Sequence, residues 1–189
     1  MSSERTLANP AAVGLAGFGG TTLLLQFHNL GWCGPSPVLW TALFFGGLMQ
    51  LLAGMKEFET GNSFGFAAFS SYGAFWMALG GILLGTHFDI LQPTAVDTGW
   101  FLVMFTLITA IFFVGAMRIS IAHALLFLTL LLGFVFLDIS HLGGPAMSFF
   151  NIIAAVDLVI CALVAWYIMA HIILTPLNVK VPLGKPWIR

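Results

Sequence analysis

The chain reads as an all-α membrane protein of six transmembrane helices, and three observations lead there. Sixty per cent of its 189 residues are hydrophobic against 7 per cent charged, a balance outside the range of water-soluble domains. The hydrophobic runs are about twenty residues long, which suits helices crossing a hydrocarbon layer of roughly 30 Å and not the ten-residue alternating strands of a membrane barrel. Drawn as six helices, near residues 11–30, 37–55, 63–86, 98–117, 120–138 and 147–174, the runs leave all six basic residues on one side: Arg5, Lys56, Arg118, Lys180, Lys185 and Arg189. Because hydrophobicity alone set the segmentation, the charge pattern is an independent check on it. The positive-inside rule then puts both termini in the cytoplasm and the protein in a plasma, or bacterial inner, membrane. One transmembrane domain over 1–189 is expected.

The first helix opens at Asn9-Pro10, a capping side chain followed by a proline whose missing N–H costs nothing at a helix start. Its apolar run exceeds a secretory signal core, so it is expected to stay in the mature protein. Gly14, Phe18, Thr21, Leu25 and His28 share one face, while Ala12, Ala16 and Gly20 make a small-residue face for close helix approach. The second helix follows the Pro35–Pro37 turn and carries Gly46, Gln50 and Gly54 at spacings of four. Gln50 must either bond a neighbouring helix or face water, because an orphan amide in lipid costs several kcal/mol. A cytoplasmic loop from Lys56 to Asn62 holds Glu57 and Glu59 and ends in a Gly61-Asn62 turn.

The third helix aligns Gly65, Phe69, Tyr72 and Trp76, with Ser70 and Ser71 on flanking faces. Its opening, Gly65-Phe66-Ala67-Ala68-Phe69, is similar to Gly14-Leu15-Ala16-Gly17-Phe18, which hints at three repeated helical hairpins around a central pathway. The fourth helix has only Thr106 and Thr109 as mid-span polar groups and is expected to face lipid or another subunit. The fifth begins after Arg118, carries His123 at the cytoplasmic mouth and ends at Asp138. His123 is either a packed, snorkelling side chain or a proton relay. The sixth contains Asp157, a carboxylate near mid-membrane that must face a cavity, find a donor or stay protonated. If odd-numbered helices all run outward, Phe18, Tyr72 and Leu130 lie about 11 to 15 Å from the cytoplasmic edge and are level with one another.

Several function classes are excluded. No phosphate-binding loop, zinc spacing or basic nucleic-acid patch is present, so no cofactor, metal or nucleic-acid partner is expected. Cys33 and Cys161 lie at different depths, which argues against a disulfide between them. Short loops leave no room for a soluble catalytic domain, and the protein is not expected to be an enzyme.

Asn9-Pro10-Ala11-Ala12-Val13-Gly14-Leu15, then Gly17-Phe18-Gly19 and His28-Asn29-Leu30-Gly31, resembles the signature of the acetate uptake transporter family, which includes the succinate-acetate permeases. Gly61-Asn62-Ser63-Phe64-Gly65 and Ser71-Tyr72-Gly73-Ala74-Phe75-Trp76 resemble two further motifs of that family. Ala12 and Val13 stand where the family usually has proline and leucine, and Asp157 lies outside its pattern. The resemblance implies a six-helix protomer with its own pathway, assembled as a homo-hexamer, that moves acetate and in some members succinate. It further implies a hydrophobic constriction at Phe18, Tyr72 and Leu130, with Thr21, Asn29, Gln50 and Ser71 as polar pathway candidates and Asp157 or His123 as proton-linked ones.

At neutral pH acetate is mainly an anion, and dehydrating it in an apolar constriction is costly. The predicted core has no lysine or arginine, so compensation must come from hydroxyls, amides, imidazole and helix N-termini, which hold an anion loosely and favour flux over retention. Two other readings stand beside this one: a urea or amide channel of similar hexameric design, and a membrane sensor or scaffold that transports nothing.

Overall fold

A computed structural model describes residues 8–188; Arg5 and Arg189, used above to orient the chain, lie outside the described residues. All regular structure among the described residues is helical: α1 (Ala11–Asn29), α2 (Pro35–Leu43), α3 (Gln50–Glu59), α4 (Ser63–His87), α5 (Ala95–Ala116), α6 (Ile121–Leu142) and α7 (Phe150–Leu174). A π-helical turn, Phe44–Met49, joins α2 to α3, so that Pro35–Glu59 is one span. Five segments are long and apolar enough to cross a membrane: Pro35–Glu59, α4, α5, α6 and Pro145–Leu177 around α7. α1 has 19 residues, and its glycines together with Thr21, Thr22, Gln26 and His28 make it less apolar than those five.

Local chemistry sets the helix boundaries, and several fall away from the expected positions. At α1 the Ala11 amide donates to Asn9 Oδ1 at 2.9 Å, and Pro10 occupies the cap itself. α5 starts at Ala95 rather than 98, because Thr94 and Asp97 form a reciprocal capping box. α6 does not stop at Asp138 but continues to Leu142; Asp138 is held inside the helix end by a 2.6 Å hydrogen bond from Thr106 of α5. The expected loop from Lys56 is helical through Glu59, where Lys56 and Glu59 pair across one turn at 2.8 Å. A 3₁₀ turn at Pro145–Met147 precedes α7, which starts at Phe150 rather than 147.

The π turn changes what the second span does. Gly46, Gln50 and Gly54 share one face of a regular helix, but the wide turn rotates that register. Gly46 abuts Thr21 of α1, Gly54 abuts Ser70 of α4, and Gln50 points inward between them, buried to 1 % exposure.

The helices pack as a ring. α1 lies along α7 and along the second span, that span packs on α4, and α6 packs on both α5 and α7. The ring closes between α4 and α5, whose backbones approach each other little, and there aromatic side chains fill the gap. Phe75 of α4 meets Phe101 and Phe105 of α5 and Phe134 of α6 at centroid distances of 5.4, 4.8 and 5.6 Å. Rings bridge this wider crossing because each buries up to 250 Å² or so and pairs well edge to face. α5 is therefore not just a lipid-facing helix: Leu102, Phe105 and Thr109 are buried against the bundle while Leu107 and Ile111 remain exposed on its outer side. Trp76, out of place for a headgroup anchor, is 2 % exposed and packs edge-on against Phe75 at 5.2 Å.

Candidate functional site

Inside the ring is a cavity of about 410 Å³ walled by α1, α3, α4, α6 and α7. Its lining is largely apolar, including Leu15, Phe18, Tyr72, Leu126, Phe127 and Leu130, with Gln50, Asn62 and His123 as polar groups. A second cavity of about 680 Å³ adjoins the first, the two sharing Ala11, Asn62, His123 and Ile172. This outer vestibule is also lined by Asn9, Glu57, His171 and Leu183, from the start of α1, the ends of α3 and α7 and the carboxy-terminal tail. The tail crosses this end of the bundle, where the Ala122 amide donates to the Leu183 carbonyl at 3.0 Å and the Trp187 amide to that of Met117 at 2.8 Å. Lys56, Arg118, Lys180 and Lys185 belong to the segments gathered there.

The structure brings Phe18, Tyr72 and Leu130 together on the wall of the inner cavity, at 5, 3 and 4 % exposure. The Phe18 and Tyr72 rings meet edge to face, with centroids 5.9 Å apart and planes at 60°. The Tyr72 hydroxyl lies 2.7 Å from Thr109 Oγ1 on α5, a hydroxyl that is itself fully buried. Pairing its one polar atom with the outer helix leaves Tyr72 presenting an aromatic ring, not a phenol, beside Phe18.

The polar candidates divide. Gln50 lines the inner cavity, and its Oε1 has no partner among the described residues. His123 lines both cavities and is held by Ser120, whose Oγ lies 2.8 Å from its Nδ1. Thr21 is fully buried at the contact with the second span, its Oγ1 donating to the Thr41 carbonyl at 3.3 Å. Asn29 donates to Gln26 Oε1 at 3.0 Å at the far end of α1. Ser71 is half-buried, and Asp157 is half-buried beside Gly133 of α6; none of these last four lines either cavity. Cys33 and Cys161 are free thiols.

Four residues of this region were not among the site residues expected from the sequence. Thr109 was visible as a lone hydroxyl in an apolar helix, a signal that its oxygen needs an internal partner. Glu57 and Asn62 were read as loop residues, whereas Glu57 is 2 % exposed on α3 and accepts a 2.7 Å hydrogen bond from Asn62 Nδ2. His171, in the vestibule on α7, carried no such signal in the sequence.

The succinate-acetate/proton symporter SatP of Escherichia coli (strain K12) is 38% identical over 142 residues, which cover 74% of this chain and 76% of that protein. Acetate permease A of Emericella nidulans is 35% identical over 187 residues, with 86% of this chain and 60% of that protein covered. A solved structure of the bacterial acetate channel SatP superposes with a TM-score of 0.89 at 34% identity, covering 95% of this chain and 100% of the other. The sequence profile described as the GPR1/FUN34/yaaH family matches residues 1–185, and the chain belongs to that family.

Proposed function

We propose that this protein carries acetate and related small carboxylates across the plasma membrane through the axis of its helical ring. The observation that carries the reading is the pair of adjoining cavities, the inner one walled by Phe18, Tyr72 and Leu130, with no lysine or arginine among their lining residues. A two-carbon acid suits such a passage. Its methyl group tolerates the rings, and its carboxylate exchanges water for the amides of Gln50 and Asn62 without being trapped by a cation. The transport functions of the named relatives support the same substrate class.

The finer architecture belongs to the same proposal. α1 serves as a sixth span, three hairpins surround the pathway, both termini face the cytoplasm, and six copies assemble, each with its own route. If a proton accompanies the acid, His123 is better placed than Asp157, since His123 lines both cavities and Asp157 lines neither.

The test is flux of labelled acetate into proteoliposomes, with urea as a neutral control. Acetate uptake well above that of empty vesicles is expected, and Phe18→Ala and Tyr72→Ala should each raise butyrate flux relative to acetate by widening the constriction. Loss of neither selectivity nor rate control in both variants would overturn the constriction, and absent acetate flux in the unmodified protein would overturn the transport reading.

A further inference from the structure

The vestibule holds a carboxylate for which the transport reading has no use. α3 presents two acidic residues two positions apart, on different faces of the helix, and their fates differ. Glu59 points into solvent and pairs with Lys56 at 2.8 Å. Glu57 turns inward to 2 % exposure, lines the vestibule, and takes part in no ion pair among the described residues. Its Oε2 accepts from Asn62 Nδ2 at 2.7 Å, while its Oε1 has neither solvent nor a partner.

The surroundings are built to hold it. Gly61, at φ +77°, makes the turn that only glycine adopts readily. Asn62 then caps α4 by accepting from the Gly65 amide at 3.1 Å, so one side chain ties the helix start to Glu57. Gly65 leaves the space: a methyl group there would sit 2.6 Å from Asn62 Nδ2 and 2.9 Å from Glu57 Oε2. The carboxylate thus nests against the positive end of α4, where a fixed negative charge is stabilised. The other titratable groups on the vestibule wall are His123 at the start of α6 and His171 near the end of α7.

Resting on the carboxylate-transport reading, we propose that Glu57 is a specificity-determining residue, a fixed charge that makes the passage favour monocarboxylates over dicarboxylates. Any anion in the vestibule meets this charge, but a dianion meets it twice. At an effective dielectric constant of about 20 and a separation of about 10 Å, the additional charge corresponds to roughly a ten-fold loss.

Charge and size are separated first in the unmodified protein. Reconstituted protein is given acetate, succinate and succinamate, which has the length of succinate but one charge. Succinamate should outrun succinate by roughly ten-fold at neutral pH, the factor expected from the Coulomb estimate. Glu57→Gln keeps an oxygen for Asn62 and removes the charge, and should raise the succinate-to-acetate ratio by a similar factor, whereas Glu57→Asp should leave that ratio near its starting value. Equal fluxes of succinate and succinamate, or an unchanged ratio in a folded Glu57→Gln protein, would overturn the charge filter while leaving acetate transport standing. Absence of acetate flux in the unmodified protein would instead remove the reading on which the filter rests.

Discussion

At the scale of single residues, Tyr72 shows how a polar side chain can present only its ring to the proposed constriction. Its hydroxyl is matched to Thr109, both fully enclosed, so neither is left to solvate a passing ion. Tyr72→Phe should therefore keep the ring, and with it acetate flux and selectivity, while costing about 1 kcal/mol of stability for the lost buried hydrogen bond. Thermal unfolding in detergent measures the cost and the proteoliposome assay the flux; a large flux change with unaltered stability would mean that the hydroxyl, not the ring, works in the pathway. Phe18, Tyr72 and Leu130 were singled out by the family resemblance; equal depth on parallel helices agreed with it, but many other leucines and phenylalanines share that level. The sequence left Thr109 and Glu57 illegible in their roles, since nothing local says which way a helix turns a side chain. Thr21, on the same face of α1 as Phe18 by spacing, is spent against the second span because Gly46 lets that span come close.

At the scale of elements, the glycines separate into those that permit packing and those that do not. A Cβ at Gly17 would strike the Phe45 carbonyl oxygen of the π turn, and one at Gly73 would meet the backbone of Leu51 at 2.7 Å. In both cases the obstacle is main chain, which cannot swing aside. Gly81 and Gly85 have open space where a Cβ would go. Gly17→Ala and Gly73→Ala should each lower the unfolding temperature markedly. Gly81→Ala and Gly85→Ala should hold or raise it, since alanine gains up to about 1 kcal/mol over glycine within a helix. Equal effects in all four would mean that close approach at α1 and α4 does not hold the ring together. Helix existence and approximate ends were readable from hydrophobic runs and caps. The π turn was not, because Phe44-Phe45-Gly46-Gly47-Leu48-Met49 is as apolar as an α-helical stretch, and only packing on both α1 and α4 favours the wider turn.

At the scale of the whole molecule, the vestibule opens at the end where Lys56, Arg118, Lys180 and Lys185 gather, and the charge rule assigns that end to the cytoplasm. The proposed even-numbered crossing needs α1 to span, although it is less apolar than its five companions. The two native thiols make this testable. Cys33 follows α1 and is half-buried, with its Sγ 3.9 Å from the Leu24 carbonyl, while Cys161 is enclosed between α6 and α7. A membrane-impermeant maleimide applied to intact cells should label Cys33, and Cys33→Ala should abolish that labelling because Cys161 stays unreactive until the protein unfolds. Placing the single accessible thiol at the other end, as Lys185→Cys in the Cys33→Ala background, should reverse the pattern, with labelling only after permeabilisation. If Cys33 were labelled only from the inside, α1 would fail to cross or the bundle would be inverted. An inverted bundle would turn the vestibule with Glu57 and His123 outward, so that solute outside the cell meets Glu57 before it reaches Phe18 and Tyr72.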